Sequence, residues 1–283
     1  IDPAKSIAKE ANKEGIKTIP TFFNEKVSKE ILSQEGPANI IIANNVYAHV
    51  DDLKSLTISI RDLLHKNGVF IFEVSYLIDV YKKTLFDTIY HEHLSYHTIK
   101  PLIHFFESLN MNLFDVQRIN THGGSIRCHV QKNTGKKKIK KSVKNSLQTE
   151  QRYKIFNTST FHNFSASIND LRNDLSYLIE SIRKNGKKIA GFGAPAKATT
   201  LMHHFKIRRQ DIEYIVDDSP LKQGLYTPGY NIPVVSSKHL TEKPVDFLLI
   251  LAWNFYESII KNHKDFSKDG GKFIIPLPKL KVI

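Results

Sequence analysis

Residues 40–43 read Ile40-Ile41-Ile42-Ala43, and residues 69–74 read Val69-Phe70-Ile71-Phe72-Glu73-Val74. Each is a short continuous apolar run rich in β-branched and aromatic side chains, so each reads as a buried strand. Between them Asp51 to His65 carries apolar residues at helical spacing. Upstream, Ala4 to Glu14 is helical and ends at Gly15, Thr18 to Phe23 is a short β-branched and apolar run, and Glu25 to Gln34 is helical again. Short strands alternating with helices predict a parallel sheet with helices on its faces.

The alternation returns at Lys187. Lys188-Ile189-Ala190-Gly191-Phe192-Gly193 is a strand entering a glycine turn, with a helix from about Ala196. Ile212 to Val216 ends at Asp217-Asp218, and Phe247 to Leu251 and Lys272 to Ile275 complete a second small sheet. Between the two patterns Leu113 to Arg118 and Ser125 to Gln131 look like strands, and Ser146 to Asn185 reads as a long polar connector helix. The expected fold class is therefore α/β, with one domain over residues 1–145 and a second, including the connector, over 146–283.

A net charge of +13 admits two readings, a polyanionic or diphosphate ligand and a merely lysine-rich chain. Much of the excess lies in Lys136-Lys137-Lys138-Ile139-Lys140-Lys141, where no aromatic residues interleave, so a solvated loop is expected and no nucleic-acid partner. The longest apolar runs are far shorter than the roughly 20 residues of a membrane span. A single cysteine, Cys128, excludes an internal disulfide framework and a cysteine zinc cluster in this segment, and suits a reducing cytoplasm.

Five stretches carry chemistry. Ile1-Asp2-Pro3-Ala4 looks like a strand end closed by a ribose-binding acid, although an aspartate before a helix also serves as a plain N-cap. The glycine turn that accompanies such an acid would lie about 20 residues upstream, so the sequence is expected to lack the start of that fold. Asn44 to Asp52 follows a strand and lies where α/β enzymes place ligands, with Asn45 and His49 as candidates. Phe86 to His97 is the densest in ionisable groups. Tyr90, Glu92 and His93 suit acid–base chemistry beside a ketone better than a metal, because the i and i+2 pair His91 and His93 does not share a helical face, while a solvated polar loop is the bland alternative. His122 to Arg127 reads as a tight turn before a strand. Gly191 to Thr200 is neither a dinucleotide fingerprint nor a Walker loop, yet its glycines, helix start and Lys197 could hold a phosphate, with Asp217 and Lys222 beside them.

Taken together, NNVYAHVDDL (44–53), FEVSYL (72–77), FDTIYHEHLSY (86–96), THGGSIR (121–127), GFGAPAKATTL (191–201), VDDSPLKQGLYTPGYNIPV (216–234) and LAWNF (251–255) resemble the sugar C-3 methyltransferases of deoxysugar pathways, in order and over nearly the whole chain. The resemblance implies a SAM-methyltransferase Rossmann-like domain, incomplete at its N-terminus, followed by a second Rossmann-like α/β domain. Zinc would belong only to a preceding N-terminal module. It implies S-adenosyl-L-methionine as cofactor, with Asp2 on its ribose and Asn45 in the methyl-donor pocket. His49, Tyr90, Glu92 and His93 match the catalytic cluster, and Gly191, Gly193, Lys197, Asp217 and Lys222 the nucleotide-sugar side. The expected reaction has His93, oriented by Glu92, remove the proton beside the ketone of a nucleoside-diphosphate-linked 4-keto-deoxysugar. Tyr90 and His49 would stabilise the enolate, which takes the methyl group. Two rivals remain at this stage: an epimerase or isomerase using the same enolising site, and a truncated nucleotide-sugar-binding protein.

Overall fold

A computed structural model describes all 283 residues. The chain divides into two compact units, one formed by Ile1–Tyr76 with Leu94–Arg152 and the other by Leu77–His93 with Tyr153–Ile283.

The first unit is built on β1 (Ala38–Asn44), β2 (Leu64–Ser75), β3 (Met111–Ile119) and β4 (Ser125–Lys132), in the order β1-β2-β4-β3. Only β1 and β2 are parallel; β4 runs antiparallel to both neighbours. The parallel pairing expected for the strands of the first 75 residues is seen between β1 and β2, and β3 and β4 form a hairpin across the tight turn expected at His122 to Arg127, a short reversal that allows only antiparallel pairing. The reversal is made by His122, Gly123 and Gly124, all at positive φ. Tyr47, Phe70, Phe72 and Phe106 are buried together, with the Tyr47 and Phe72 rings 4.5 Å apart and Phe72 and Phe106 5.7 Å apart. The reading of Ile40–Ala43 as a buried strand is half right. β1 is the outer strand, and Ile40 and Ile42 are each 61% exposed. Thr18–Phe23 forms no strand.

The second unit carries β5 (Ile189–Phe192), β6 (Ile215–Val216), β7 (Val234–Val235), β8 (Phe247–Ile250), β9 (Lys272–Ile275) and β10 (Lys281–Val282), in the order β10-β9-β8-β5-β6-β7. All pairs are parallel except β9 with β10. The chain runs outward from β5 through β6 to β7, then starts again on the other side of β5 with β8. The carboxyl ends of β5 and β8 thus flank the point where strand order reverses, the usual ligand crevice of such sheets. Val80, Leu85 and Phe86 are buried in the same core as Leu175, Ile179, Leu201 and Phe205. That burial, unreadable from local pattern, draws residues 77–93 out of the first domain anticipated from sequence.

The connector is two helices, Lys141–Arg152 in the first unit and Thr158–Lys184 in the second. Lys154 takes φ +49° between them, a left-handed break at a residue type that seldom adopts it, and Asn157 stands at the N-cap of the second helix. The first helix is tied to its unit by Glu150, which is 1% exposed. Its carboxylate accepts hydrogen bonds from the Ile99 and Lys100 backbone N–H groups (the latter 3.1 Å) and from the Tyr76 hydroxyl (3.0 Å). The Ile99–Ser108 helix has no side-chain cap of its own. Glu150 satisfies its orphan donors and places negative charge at its positive end. Burial raises the Glu150 carboxyl above its usual range against the lowering effect of these donors. Replacing Glu150 by Ala removes the acceptor of the buried Ile99 N–H, of the Lys100 N–H and of the Tyr76 hydroxyl, so chemical denaturation is expected to show a loss of about 3 kcal/mol. An unchanged urea midpoint would contradict this capping role.

Candidate active site

The segment that holds Tyr90 and His93 opens with a single 3-10 turn, Phe86–Thr88. The Thr88 hydroxyl donates to the Leu85 carbonyl at 2.8 Å, and the Ile89 N–H donates to the Phe86 carbonyl at 2.9 Å. Phe86 inserts its ring 5.0 Å from both His204 and Phe205 at the end of the Ala196–Phe205 helix. The chain then folds back so that His93 Nδ1 lies 2.6 Å from the Thr88 carbonyl oxygen. A carbonyl only accepts, so Nδ1 carries the hydrogen and the lone pair of the neutral ring sits on Nε2. The Tyr90 ring is centred 4.6 Å from the His93 ring. Burial, then the charge of Glu92 and a hydrogen bond with it, push the Tyr90 hydroxyl above the usual phenol range. Tyr90 therefore stays protonated and able to donate. Glu92 thus acts on Tyr90, and the acceptor that orients His93 Nδ1 is Thr88, a residue the sequence reading left without a role.

Asp87 is fully buried. Its Oδ2 accepts from the Trp253 indole N–H at 2.6 Å and lies 3.7 Å from Lys197 Nζ. The ammonium also donates to Asn254 Oδ1 at 2.7 Å and stands 4.1 Å from the centre of the Trp253 ring, within cation–π range. Burial raises the Asp87 carboxyl and lowers the Lys197 ammonium, each against the opposing pull of its partner. Lys197, expected on the phosphate of a substrate, is thus engaged inside the unit.

The other residues expected on the nucleotide-sugar side also have internal partners. A Cβ on Gly191 would lie 2.9 Å from Ile215, and one on Gly193 (φ +88°) 2.5 Å from Ala252 Cβ, so both glycines permit close packing of strand and loop. Asp217 Oδ2 accepts from the Ala194 N–H (2.7 Å) and Lys222 Nζ (3.3 Å), and its Oδ1 from the Ser219 N–H (2.9 Å). It staples the loops after β5 and β6, while the neighbouring Asp218 is exposed. Sequence alone does not separate these cases: a glycine turn and a strand-end acid serve a ligand or their own loops with the same residues.

In the first unit a cleft of about 630 Å³ brings together Asp2, Asn45 and His49 with Phe22, Phe23, Asp51 and Ser55. Asp2 Oδ1 accepts from the Ala4 N–H at 2.8 Å, so the N-cap reading is realised and Asp2 still lines the cleft. Asn45 holds φ +54°, with its N–H on the Glu73 carbonyl at 2.9 Å. Its exposed side chain is thereby set at the end of β1. Phe22 and Phe23, given no role in the sequence reading, add aromatic lining to this cleft. No helix is long and apolar enough to cross a membrane.

The chain thus has two α/β units, one with a cleft at its strand ends and the other with a histidine hydrogen-bonded to a main-chain carbonyl beside a tyrosine. A family model described as the C-methyltransferase C-terminal domain matches residues 120–278. The C-methyltransferase NovU of Streptomyces niveus is 34% identical over 283 residues, covering 100% of this chain and 67% of that protein. The crystal structure of M1.HpyAVI superposes with a TM-score of 0.26 at 14% identity, over 39% of this chain and 52% of its own, a likeness that carries no argument. The chain belongs to the C-methyltransferase family and is a methyltransferase.

The Asp217 staple has a testable acid signature. Burial works to raise this carboxyl, but the Ala194 and Ser219 amides and Lys222 bring it below its reference value of 3.8. The stabilisation is therefore complete above the unfolded-state value and is lost as pH falls through the lower folded one. Below about pH 4, Asp217→Asn is expected to lose less further stability than the wild type in urea titrations. Equal acid slopes for the two proteins would count against the staple.

Proposed function

We propose that the protein transfers a methyl group from S-adenosyl-L-methionine to the carbon beside the ketone of a nucleoside-diphosphate-linked 4-keto-deoxysugar. The observation that carries this reading is the His93 Nδ1–Thr88 contact beside Tyr90. A carbon becomes a methyl acceptor only once a proton has left it, and an unprotonated Nε2 with a neighbouring neutral phenol is the pair that such a step needs. The sugar is inferred from the motif resemblance set out above, and the excess of cations suits a diphosphate.

The cleft of the first unit fits the cofactor on two counts. It has an acid whose second oxygen has no protein partner, and it has aromatic side chains to cover an apolar ring. Asp2 would hold ribose hydroxyls, Asn45 would line the methyl side, and Phe22 and Phe23 would shield the base. When bound, the cofactor supplies an electrophilic methyl group. His49, also in this cleft, is a candidate acid–base group on that side. His93 Nε2 takes the proton from the substrate carbon, and its Nδ1–H stays on Thr88, which stabilises the imidazolium that results. Tyr90 donates its hydroxyl hydrogen to the developing enolate oxygen, while Glu92 keeps that phenol protonated in the resting state. Lys222, which donates to Asp217 at 3.3 Å and is partly exposed, would turn from that carboxylate to reach a phosphate.

In the full-length protein, His93→Gln is expected to lower kcat for methyl transfer about 10³-fold, and Tyr90→Phe about 10²-fold. Both should leave cofactor affinity unchanged by calorimetry. Normal methyl transfer by His93→Gln would sink the assignment. Asp2→Ala is expected to weaken cofactor binding by about tenfold or more with little effect on the affinity for a nucleoside diphosphate. Unchanged cofactor affinity would remove Asp2 from the site.

A further inference from the structure

A groove of about 410 Å³ lies wholly within the second unit, between the Thr158–Lys184 helix and the turn that leads from the Ala196–Phe205 helix towards β6. The helix contributes Arg172, Ser176, Ile179 and Arg183, whose spacing of four, three and four residues sets them along one face. The turn contributes Lys206, Arg208 and Asp211. Strands β5 and β6 are parallel, so the helix joining them starts at their carboxyl ends and finishes at their amino ends. The groove is therefore at the opposite edge of the sheet from the crevice of β5 and β8.

The charges in this groove do not balance. Four cations and two carboxylates line it, and both carboxylates have partners within the chain. Glu180 pairs with Lys184 at 2.7 Å. Asp211 holds the Arg183 guanidinium at 2.8 Å through Oδ1 and accepts the Arg208 N–H at 2.9 Å through Oδ2. The Arg172, Lys206 and Arg208 side chains have no carboxylate partner. Cations near the last turn of a helix serve its dipole, and that role suits Lys206. Arg172 stands well inside its helix and has no such use. Burial, and then the charge of Arg172, hold the nearby His204 imidazole below its usual range, so the local field is positive. Beneath the cations the lining is apolar: Ile179, Phe205 and Ile207 are at most 5% exposed.

We infer that this groove is a binding site for a small phosphorylated molecule, separate from the crevice at the carboxyl ends of β5 and β8. A guanidinium presents paired donors that match the oxygens of a phosphate, and three unopposed charges match an anion of more than one charge. The volume and the apolar floor suit a small molecule. Aromatic side chains interleaved with the cations, which a nucleic-acid strand would stack on, are absent from the groove. The turn is fixed before any ligand arrives. Asp211 ties both its own backbone and its carboxylate to Arg208, and Lys206 holds a left-handed φ of +56°, a strained conformation for a residue with a side chain.

The inference does not depend on the reading of His93 as the base. Pyrophosphate is the probe, titrated by calorimetry at fixed ionic strength into the full-length protein, into Arg172→Gln/Arg208→Gln and into Lys222→Gln, which removes a cation from the crevice side. Wild type and Lys222→Gln are expected to share a binding event that the double variant weakens about tenfold or more. The double variant should melt with the wild type, because neither side chain has a carboxylate partner to lose. If it melts lower, Lys206→Gln, exposed on the turn, makes the same test and should weaken the same event. No binding of pyrophosphate by the wild type would overturn the inference, as would equal binding by the double variant. A loss in Lys222→Gln as large as in the double variant would also overturn it, since the anion would then lie in the crevice.

Discussion

A carboxylate with no access to water must be held by donors or give up its charge, and Asp87 meets that condition through two residues far along the chain. Its indole partner lies 166 positions later in sequence. Only when β5 and β8 have paired do the loops after them present Lys197 and Trp253 to the same oxygen. Thr88 is adjacent to the anchored residue, its carbonyl selects the tautomer of His93, and Tyr90 stacks beside the ring so selected.

The same economy governs the rest of the second unit. Sheets of this topology carry a glycine turn after the first strand and an acid after the second, and this chain has both. Here the glycines allow loops to touch, and Asp217 is saturated by two amides and a lysine. A carboxylate that already accepts three hydrogen bonds has little left for a ribose. The first unit uses the comparable position differently. Asp2 gives one oxygen to its own helix, and the other lines a cleft with Asn45, His49 and two phenylalanines. The two units share an α/β plan but differ in what their strand ends are free to bind.

The dense run from Tyr90 to His93 stood out in the sequence because so many ionisable groups within a few residues are hard to explain by packing, and the structure sets Tyr90 and His93 ring to ring. The residue that orients His93 was not legible. Glu92 is the obvious candidate on paper, yet the acceptor is a main-chain carbonyl, and any residue type can supply one. Lys197 was read as a phosphate ligand because a lysine at a helix start after a glycine turn has that use in many folds, and its contacts with Asp87 and Asn254 come from residues distant in sequence that no local pattern shows.

By itself the sequence determined which stretches become strands and helices over most of the chain, because apolar runs and helical spacing are local properties. Its motifs likewise determined the family. The tertiary structure alone decided that β4 inserts between β2 and β3, that Lys154 breaks a helix continuous in pattern, and that residues 77–93 belong with the second unit. Each depends on which apolar face finds a partner, or which carboxylate finds a donor, across long separations in sequence. Periodicity within a window of residues carries no information about such encounters, and burial supplies it only once the chain has closed on itself.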